Sequence, residues 1–213
     1  MYKMIFKRWI DIVLSIIGII VLFFPMIIIA IMIKLDSPGP ILFKQKRIGY
    51  KGNIYNIWKF RTMCVGAEKT GSGVYSGKDD TRITRIGKFL RNTSLDEITQ
   101  LFNVLSGTMS IVGPRPPLTY HPWPLEKYTQ EQLHMFDVRP GITGWAQIHG
   151  RKNTEWNHRI ELNVWYVRHI SFWLDVKIIL LTAWKVIINE DNENIGTTVI
   201  KTTANKEKEM VNK

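Results

Sequence analysis

Cysteine is almost absent from this chain of 213 residues: Cys64 stands alone. A single thiol excludes an internal disulfide framework and a multi-cysteine zinc site, suits a reducing compartment, and predicts a small, partly buried side chain at position 64. Acidic residues are also few, 18 against 29 Lys and Arg, so the chain carries +11 and is drawn to polyanions: nucleic acid, anionic lipid or phosphorylated small molecules. No RNP-like aromatic motif or recognisable nucleic-acid-binding pattern is present, which argues against nucleic acid. The five histidines, at 121, 134, 149, 158 and 169, include no i, i+4 pair, so a histidine-based metal site is not expected. The glycine-containing stretch "GSGVYSGKDD" lacks the glycine at 72 and the hydroxyl at 79 that a phosphate-cradling Walker loop needs, since Ser72 and Asp79 stand there. The length allows one globular domain with some extra segment.

One thing present in excess is apolar sequence near the start. From Ile12 to Ile33 there are 22 residues without a charge, enough at 1.5 Å per residue to cross a bilayer about 30 Å thick. Pro25 interrupts the run. It cannot donate to the carbonyl of Val21, so a kink or break is expected there, and each arm is then too short to cross alone. Lys3, Lys7 and Arg8 precede the run and Lys34, Lys44, Lys46 and Arg47 follow it, a flanking pattern that puts both ends in the cytoplasm. A re-entrant helix-break-helix and a kinked spanning helix both fit these residues. A cleaved signal peptide does not, because the apolar run is too long and no small-x-small site follows.

After "DSPGP" (36–40), alternating residues around Gly49 and Gly52 predict a β-hairpin. Residues 66–80 read as a loop, 94–105 and 124–136 as short helices, and 137–151 as a glycine-rich irregular segment. Residues 171–188, "SFWLDVKIILLTAWKVII", read as a helix that is either core or interfacial, and the polar tail from about Glu190 as disordered.

The acids Asp96 and Glu97 in "RNTSLDEITQ" (91–100) sit in basic surroundings. From Lys34 through Arg91 there are thirteen basic residues against four acids, a net +9. Ser94 followed by Glu97 has the spacing of a capping box, and Asp96 suits a helix N-terminus. The alternative is chemical. In a field that attracts phosphate, one carboxylate can attack phosphorus while a second holds a metal ion that neutralises the phosphate oxygens. Adjacent helical residues point about 100° apart, so the two acids need not share a role.

The motifs "KFRTM" (59–63), "DDTRITRIGKFLRNTSLDEITQLFNVLSGTMSIVGPRP" (79–116), "VRPGITGWAQIHGR" (138–151) and "SFWLDVKI" (171–178) closely resemble the bacterial monotopic phosphoglycosyl transferases, the initiating sugar transferases of polysaccharide and glycoconjugate assembly. The likeness runs over about residues 1–188, in the size of the minimal, catalytic-domain members. The resemblance implies that Asp96 attacks the β-phosphate of a UDP-sugar, releases UMP and holds the phosphosugar until undecaprenyl phosphate takes it, with Glu97 binding Mg²⁺. It implies phosphate contacts from Lys59, Arg61, Arg91 and Arg115, with Arg139 and Arg151 as weaker candidates for the nucleotide. It also favours a membrane helix that dips at Pro25 and returns. Phe24, Thr99 and Asn163 depart from the Ser, Pro and Asp that the family commonly has; none touches the acid pair.

The expected architecture is α+β and mainly helical: a re-entrant membrane helix over 1–35, a small cytoplasmic catalytic domain with a β-hairpin and interfacial helices over 36–188, and a polar tail over 189–213. The resemblance implies a bacterial inner-membrane enzyme facing the cytoplasm. Its partners would be UDP-sugar, undecaprenyl phosphate, membrane lipid and downstream glycosyltransferases; it admits a homodimer and gives no role to nucleic acid. Two rival readings are a non-catalytic, membrane-anchored polyanion-binding module and a phosphohydrolase that uses water as acceptor.

Overall fold

The computed structural model describes residues 2–70, 80–149 and 155–188. Most of the 66–80 loop, Arg151 and the 189–213 tail therefore lie outside the described residues.

The apolar run forms one long helix, α1 (Lys7–Asp36), preceded by a π-turn at Tyr2–Phe6. Helical geometry passes through Pro25, so the break expected there is not found. Proline removes the bond to the Val21 carbonyl, but Leu22, Met26, Ile29 and Ile33 on either side pack against Phe60 and Leu90 and hold the helix together. Lys7, Asp11, Ser15, Met26, Ile29 and Ile33 are buried at helical spacing along one stripe. The opposite face is bare apolar side chain, with Ile20 69% and Phe24 73% exposed.

Both ends of α1 are fastened to the same body. At its start, Lys7 Nζ meets Asp175 Oδ2 at 2.6 Å, Arg8 donates to the carbonyls of Val104 (2.6 Å) and Leu105 (2.9 Å), and Asp11 accepts from Ser110 Oγ (2.8 Å) and Ile111 N (3.0 Å). At its end, Asp36 Oδ2 accepts from Ile86 N at 3.1 Å. A 30-residue helix is about 45 Å long, so α1 lies along the domain instead of projecting from it.

The expected hairpin is β1 (Leu42–Ile48) paired antiparallel with β2 (Ile54–Phe60), in a register that sets Phe43 opposite Lys59 and Arg47 opposite Tyr55. A helix follows, α2 (Arg85–Thr93), with Thr84 Oγ1 accepting from Gly87 N at its cap. Gly87 is required: a Cβ there would lie 2.0 Å from the Thr62 carbonyl oxygen. Next come a 3₁₀ turn, Leu95–Glu97, and α3 (Gln100–Leu105). Where 94–105 reads as one helix, the structure therefore has a turn and a shorter helix.

Strand β3 (Ser110–Val112) pairs in parallel with β4 (Gly141–Thr143), a pairing the sequence does not announce. The 124–136 segment holds α4 (Gln130–Leu133) between two 3₁₀ turns. Residues 137–149 hold β4 and α5 (Trp145–Ile148), more order than expected. Two longer helices follow, α6 (Trp156–His169) and α7 (Phe172–Ile187).

Helix α7 is both core and exposed. Asp175 and Ile178 are buried, while Trp173 is 75% and Ile187 77% exposed. Cys64, expected partly buried, is exposed.

Candidate active site

The acid pair is placed by a sharp reversal between α2 and α3. Ser94, the residue that follows α2, takes a left-handed conformation (φ +58), which turns the chain into Leu95–Glu97. For a residue other than glycine this conformation costs on the order of 1 kcal/mol, and it recurs at functional sites. Leu95, Ile98 and Leu101 pack toward Met26, Ile29 and Ile33 of α1. Thr99 Oγ1 donates to the Trp58 carbonyl (3.0 Å), while Asn103 accepts from Trp58 N (2.9 Å) and donates to the Asn56 carbonyl (2.9 Å). These bonds lock the turn onto β2, so the carboxylates face Lys59. The capping box does not form: Ser94 caps nothing with its side chain, and Glu97 points to cations.

Glu97 Oε1 takes both available cations, Lys59 Nζ at 2.5 Å and Arg115 NH2 at 3.1 Å. Among the described residues its second oxygen accepts no hydrogen bond. Asp96 is buried and makes no hydrogen bond among the described residues; its closest charged partner is Lys59 Nζ, 3.8 Å from Oδ2.

The two acids titrate in opposite directions. Burial, followed by the repulsion of Glu97, pushes the Asp96 carboxyl up, against the pull of Lys59, Arg91 and Arg115. Burial also works against the Glu97 anion, but Lys59 and Arg115 overcome it and hold Glu97 well below the usual carboxylate range. Neighbouring carboxyls driven apart in this way suit divided roles.

The sequence-predicted cations separate into three groups. Lys59 and Arg115 converge on the pair. Arg91 is near enough for its charge to act on Asp96, and its Nε donates to Thr62 Oγ1 at 2.9 Å. Arg61 is buried and donates to the carbonyls of Pro38, Ser37 (2.7 Å) and Ile33 (3.4 Å), closing the end of α1. Arg139 is not brought to the carboxylates; its Nε donates to the Gly107 carbonyl (2.7 Å), with Arg8 as its charged neighbour.

Sequence reasoning missed Arg47, whose NH1 donates to the Pro116 carbonyl at 3.0 Å and whose burial and proximity to Arg115 lower its pKa to about 10. The period-2 pattern was the available signal. Once the hairpin register is set, Arg47, Tyr55 and Lys59 fall on one face.

The pair can hold a metal only in the style of Mg²⁺, which takes one or two carboxylates and completes its shell with water and substrate phosphate. Among the described residues no cluster of three or more acid, histidine or cysteine ligands exists. The unengaged Glu97 oxygen beside Asp96 fits that style.

The model of the family described as bacterial sugar transferase matches residues 2–189. The chain belongs to the bacterial sugar transferase family. Among relatives, it is 44% identical over 193 residues to the UDP-glucose:undecaprenyl-phosphate glucose-1-phosphate transferase of Klebsiella pneumoniae, covering 88% of this chain and 41% of that protein. It is 40% identical over 185 residues to the UDP-N-acetylgalactosamine-undecaprenyl-phosphate N-acetylgalactosaminephosphotransferase of Aeromonas hydrophila, covering 85% of this chain and 43% of the relative. The uncharacterized sugar transferase EpsL of Bacillus subtilis (strain 168) is 44% identical over 158 residues, 74% of this chain and 75% of EpsL. The chain thus spans about two-fifths of the length of the named transferases. Within this bacterial sugar transferase, the matched region contains the acid pair, Lys59, Arg91 and Arg115, and the seven α-helices of the described residues.

Proposed function

We propose that the chain transfers a sugar-1-phosphate from a UDP-sugar to undecaprenyl phosphate, through a covalent phosphosugar on Asp96. The observation that carries this reading is the pair itself: a buried Asp96 carboxylate without hydrogen-bond donors, next to a Glu97 anion fixed by Lys59 and Arg115. A carboxylate stripped of donors keeps its lone pairs available, and adjacent cations lower the barrier for an anionic substrate to approach it.

In the first step an Asp96 oxygen attacks the β-phosphorus of the donor. The bond from that phosphorus to the bridging oxygen breaks, and UMP leaves with its electron pair. In the second step a phosphate oxygen of undecaprenyl phosphate attacks the same phosphorus and Asp96 departs as a carboxylate. Lys59, Arg91 and Arg115 supply fixed positive charge where phosphate oxygens must sit. Mg²⁺, held through Glu97, would neutralise further phosphate charge when bound. The product, a polyprenyl-diphosphate sugar, is the kind of primer that downstream glycosyltransferases extend.

The relatives' printed names support the donor and acceptor classes, while differing in the sugar. A membrane face is supported by the bare apolar side of α1 together with Trp173, Leu180, Trp184 and Ile187 of α7. With both ends of α1 fixed to one domain, a helix resting in one leaflet accounts for the geometry better than one whose ends emerge on opposite sides. The proposed location is the inner membrane with the catalytic domain in the cytoplasm, a reading supported by the basic residues that flank the apolar run at both ends.

The test is product analysis in detergent or nanodiscs with Mg²⁺ and a panel of UDP-sugars, with and without undecaprenyl phosphate. Lipid-dependent UMP release that is lost in Asp96→Asn is expected. Steady release without lipid would instead mark a phosphohydrolase.

A further inference from the structure

Positive charge continues beyond Arg115, away from the carboxylates. Arg47 lies against the Pro114–Pro117 turn that carries Arg115, through its bond to the Pro116 carbonyl. Further along the same segment, His121 packs edge-on against Trp156 of α6, with ring centroids 5.1 Å apart. Arg159, one turn later on α6, lays its guanidinium over the same indole at 5.0 Å. Tyr120, beside His121 in the chain, is 58% exposed.

Arg159 is poorly accounted for by the protein alone. Its Nε is buried with no acceptor, and among the described residues no carboxylate pairs with it. Instead its charged neighbours are other cations. Burial and then Arg115 lower its pKa, and it joins Arg47 in lowering that of His121. Arg115 thus has Arg47 and Arg159 as cationic neighbours, and Arg159 keeps a buried Nε without an acceptor, an arrangement that a further anion would stabilise.

We propose that Arg159, seated on Trp156, binds the phosphate that departs with the leaving nucleoside monophosphate. This rests on the transfer reaction proposed above. Its place in the fold suits the water-soluble donor and not the lipid. The first half of α6, where Arg159 stands, packs through Ile160 and Val164 on Ile48, Tyr128 and Phe136, a cluster without any α1 residue, whereas the Asp96 turn meets α1 through Leu95 and Ile98. The attacked phosphorus then lies between Asp96 and Arg115, with the nucleotide's own phosphate extending toward Arg47 and Arg159.

The experiment measures UMP binding to the full chain in detergent with Mg²⁺, together with steady-state UMP release, for wild type, Arg159→Gln, Arg159→Lys and Arg168→Gln. Arg168 lies on the same helix, paired with Glu131 at the surface, and controls for loss of one charge. Loss of one charge-assisted contact is expected to weaken UMP binding and raise KM for the UDP-sugar by about 10- to 100-fold in Arg159→Gln. Arg159→Lys, which keeps the charge but not the fork, should fall between the two and carries the test if the Gln variant does not fold. KM for undecaprenyl phosphate and the behaviour of Arg168→Gln should stay within about twofold of wild type. Unchanged UMP affinity in a folded Arg159 variant, an effect on the lipid KM alone, or an equal effect in Arg168→Gln would each overturn the assignment while leaving the transfer reaction standing. A wild-type chain that neither binds UMP nor releases it from UDP-glucose, UDP-galactose or UDP-N-acetylglucosamine would overturn both.

Discussion

Neutralising Lys7 should destabilise the domain strongly, although the residue stands at the start of an apolar helix. Its Nζ lies 2.6 Å from Asp175 Oδ2, and the two side chains are 10% and 6% exposed. Asp175 also accepts from Tyr2 Oη at 2.7 Å and Tyr166 Oη at 2.6 Å, so one carboxylate joins the start of α1 to α6 and α7. Lys7→Met keeps the length of the stem and strands the carboxylate, which for a buried pair costs about 3–5 kcal/mol. At roughly 2–4 °C per kcal/mol for a chain of this size, the melting temperature in detergent should fall by about 6–20 °C. The double variant Lys7→Met/Asp175→Asn should recover part of that loss, because a neutral amide can accept from one tyrosine hydroxyl through its oxygen and donate to the other through its nitrogen, without a buried charge. Thermal unfolding of the two single variants and the double closes the cycle. A Lys7→Met variant within about 1 kcal/mol of wild type, or a double variant no better than the single, would refute the claim that this pair clamps α1.

Three further outcomes follow from the same geometry. Asp96→Asn should lose lipid-dependent UMP release yet melt at or above the wild-type temperature, since burial raises the Asp96 pKa and its anion therefore destabilises the fold above the ordinary aspartate pKa; a clear drop in melting temperature would mean that Asp96 is structural. Glu97 is depressed in the folded state, so its contribution is fully present above the unfolded glutamate pKa and is lost as pH falls below about 4; Glu97→Gln should flatten that acid-side decline in melting temperature, and an unchanged profile would contradict the Lys59 and Arg115 pairing. Ile20→Lys/Phe24→Lys on the bare face of α1 should abolish co-sedimentation with liposomes while leaving secondary structure intact by circular dichroism, and retained binding would remove α1 from the membrane contact.

The parts of the fold that the sequence declared are those written in short-range patterns. Alternation around Gly49 and Gly52 marked the hairpin, and the apolar run closing at Ile187 marked α7, whose Ser171 cap accepts from Leu174 N. Helix α6 escaped because its face is mixed: Asn163 is buried while Trp165 is exposed. The β3–β4 pair joins three-residue strands some thirty positions apart and has no local signature. Local reasoning misled at Ser94 and Glu97, where the spacing of a capping box was overridden by a left-handed turn and by two cations from distant segments. The motif around Arg61 says nothing of the helix end this residue closes, because the carbonyls it meets lie in another segment. The acid pair itself was legible because two carboxylates inside a basic stretch are a local anomaly. The partners that divide their titration come from β2 and the Pro114–Pro117 turn, and become visible only in three dimensions.

The central claim is that Asp96 becomes covalently loaded. The most direct measurement is intact-protein mass spectrometry after mixing the detergent-solubilised chain with Mg²⁺ and each UDP-sugar in turn, without lipid acceptor, alongside Asp96→Asn. The account predicts a mass increase of one phosphosugar with a usable donor, absent in the variant and discharged by undecaprenyl phosphate. No adduct with any donor, combined with lipid-dependent UMP release that survives in Asp96→Asn, would contradict it and make the transfer direct.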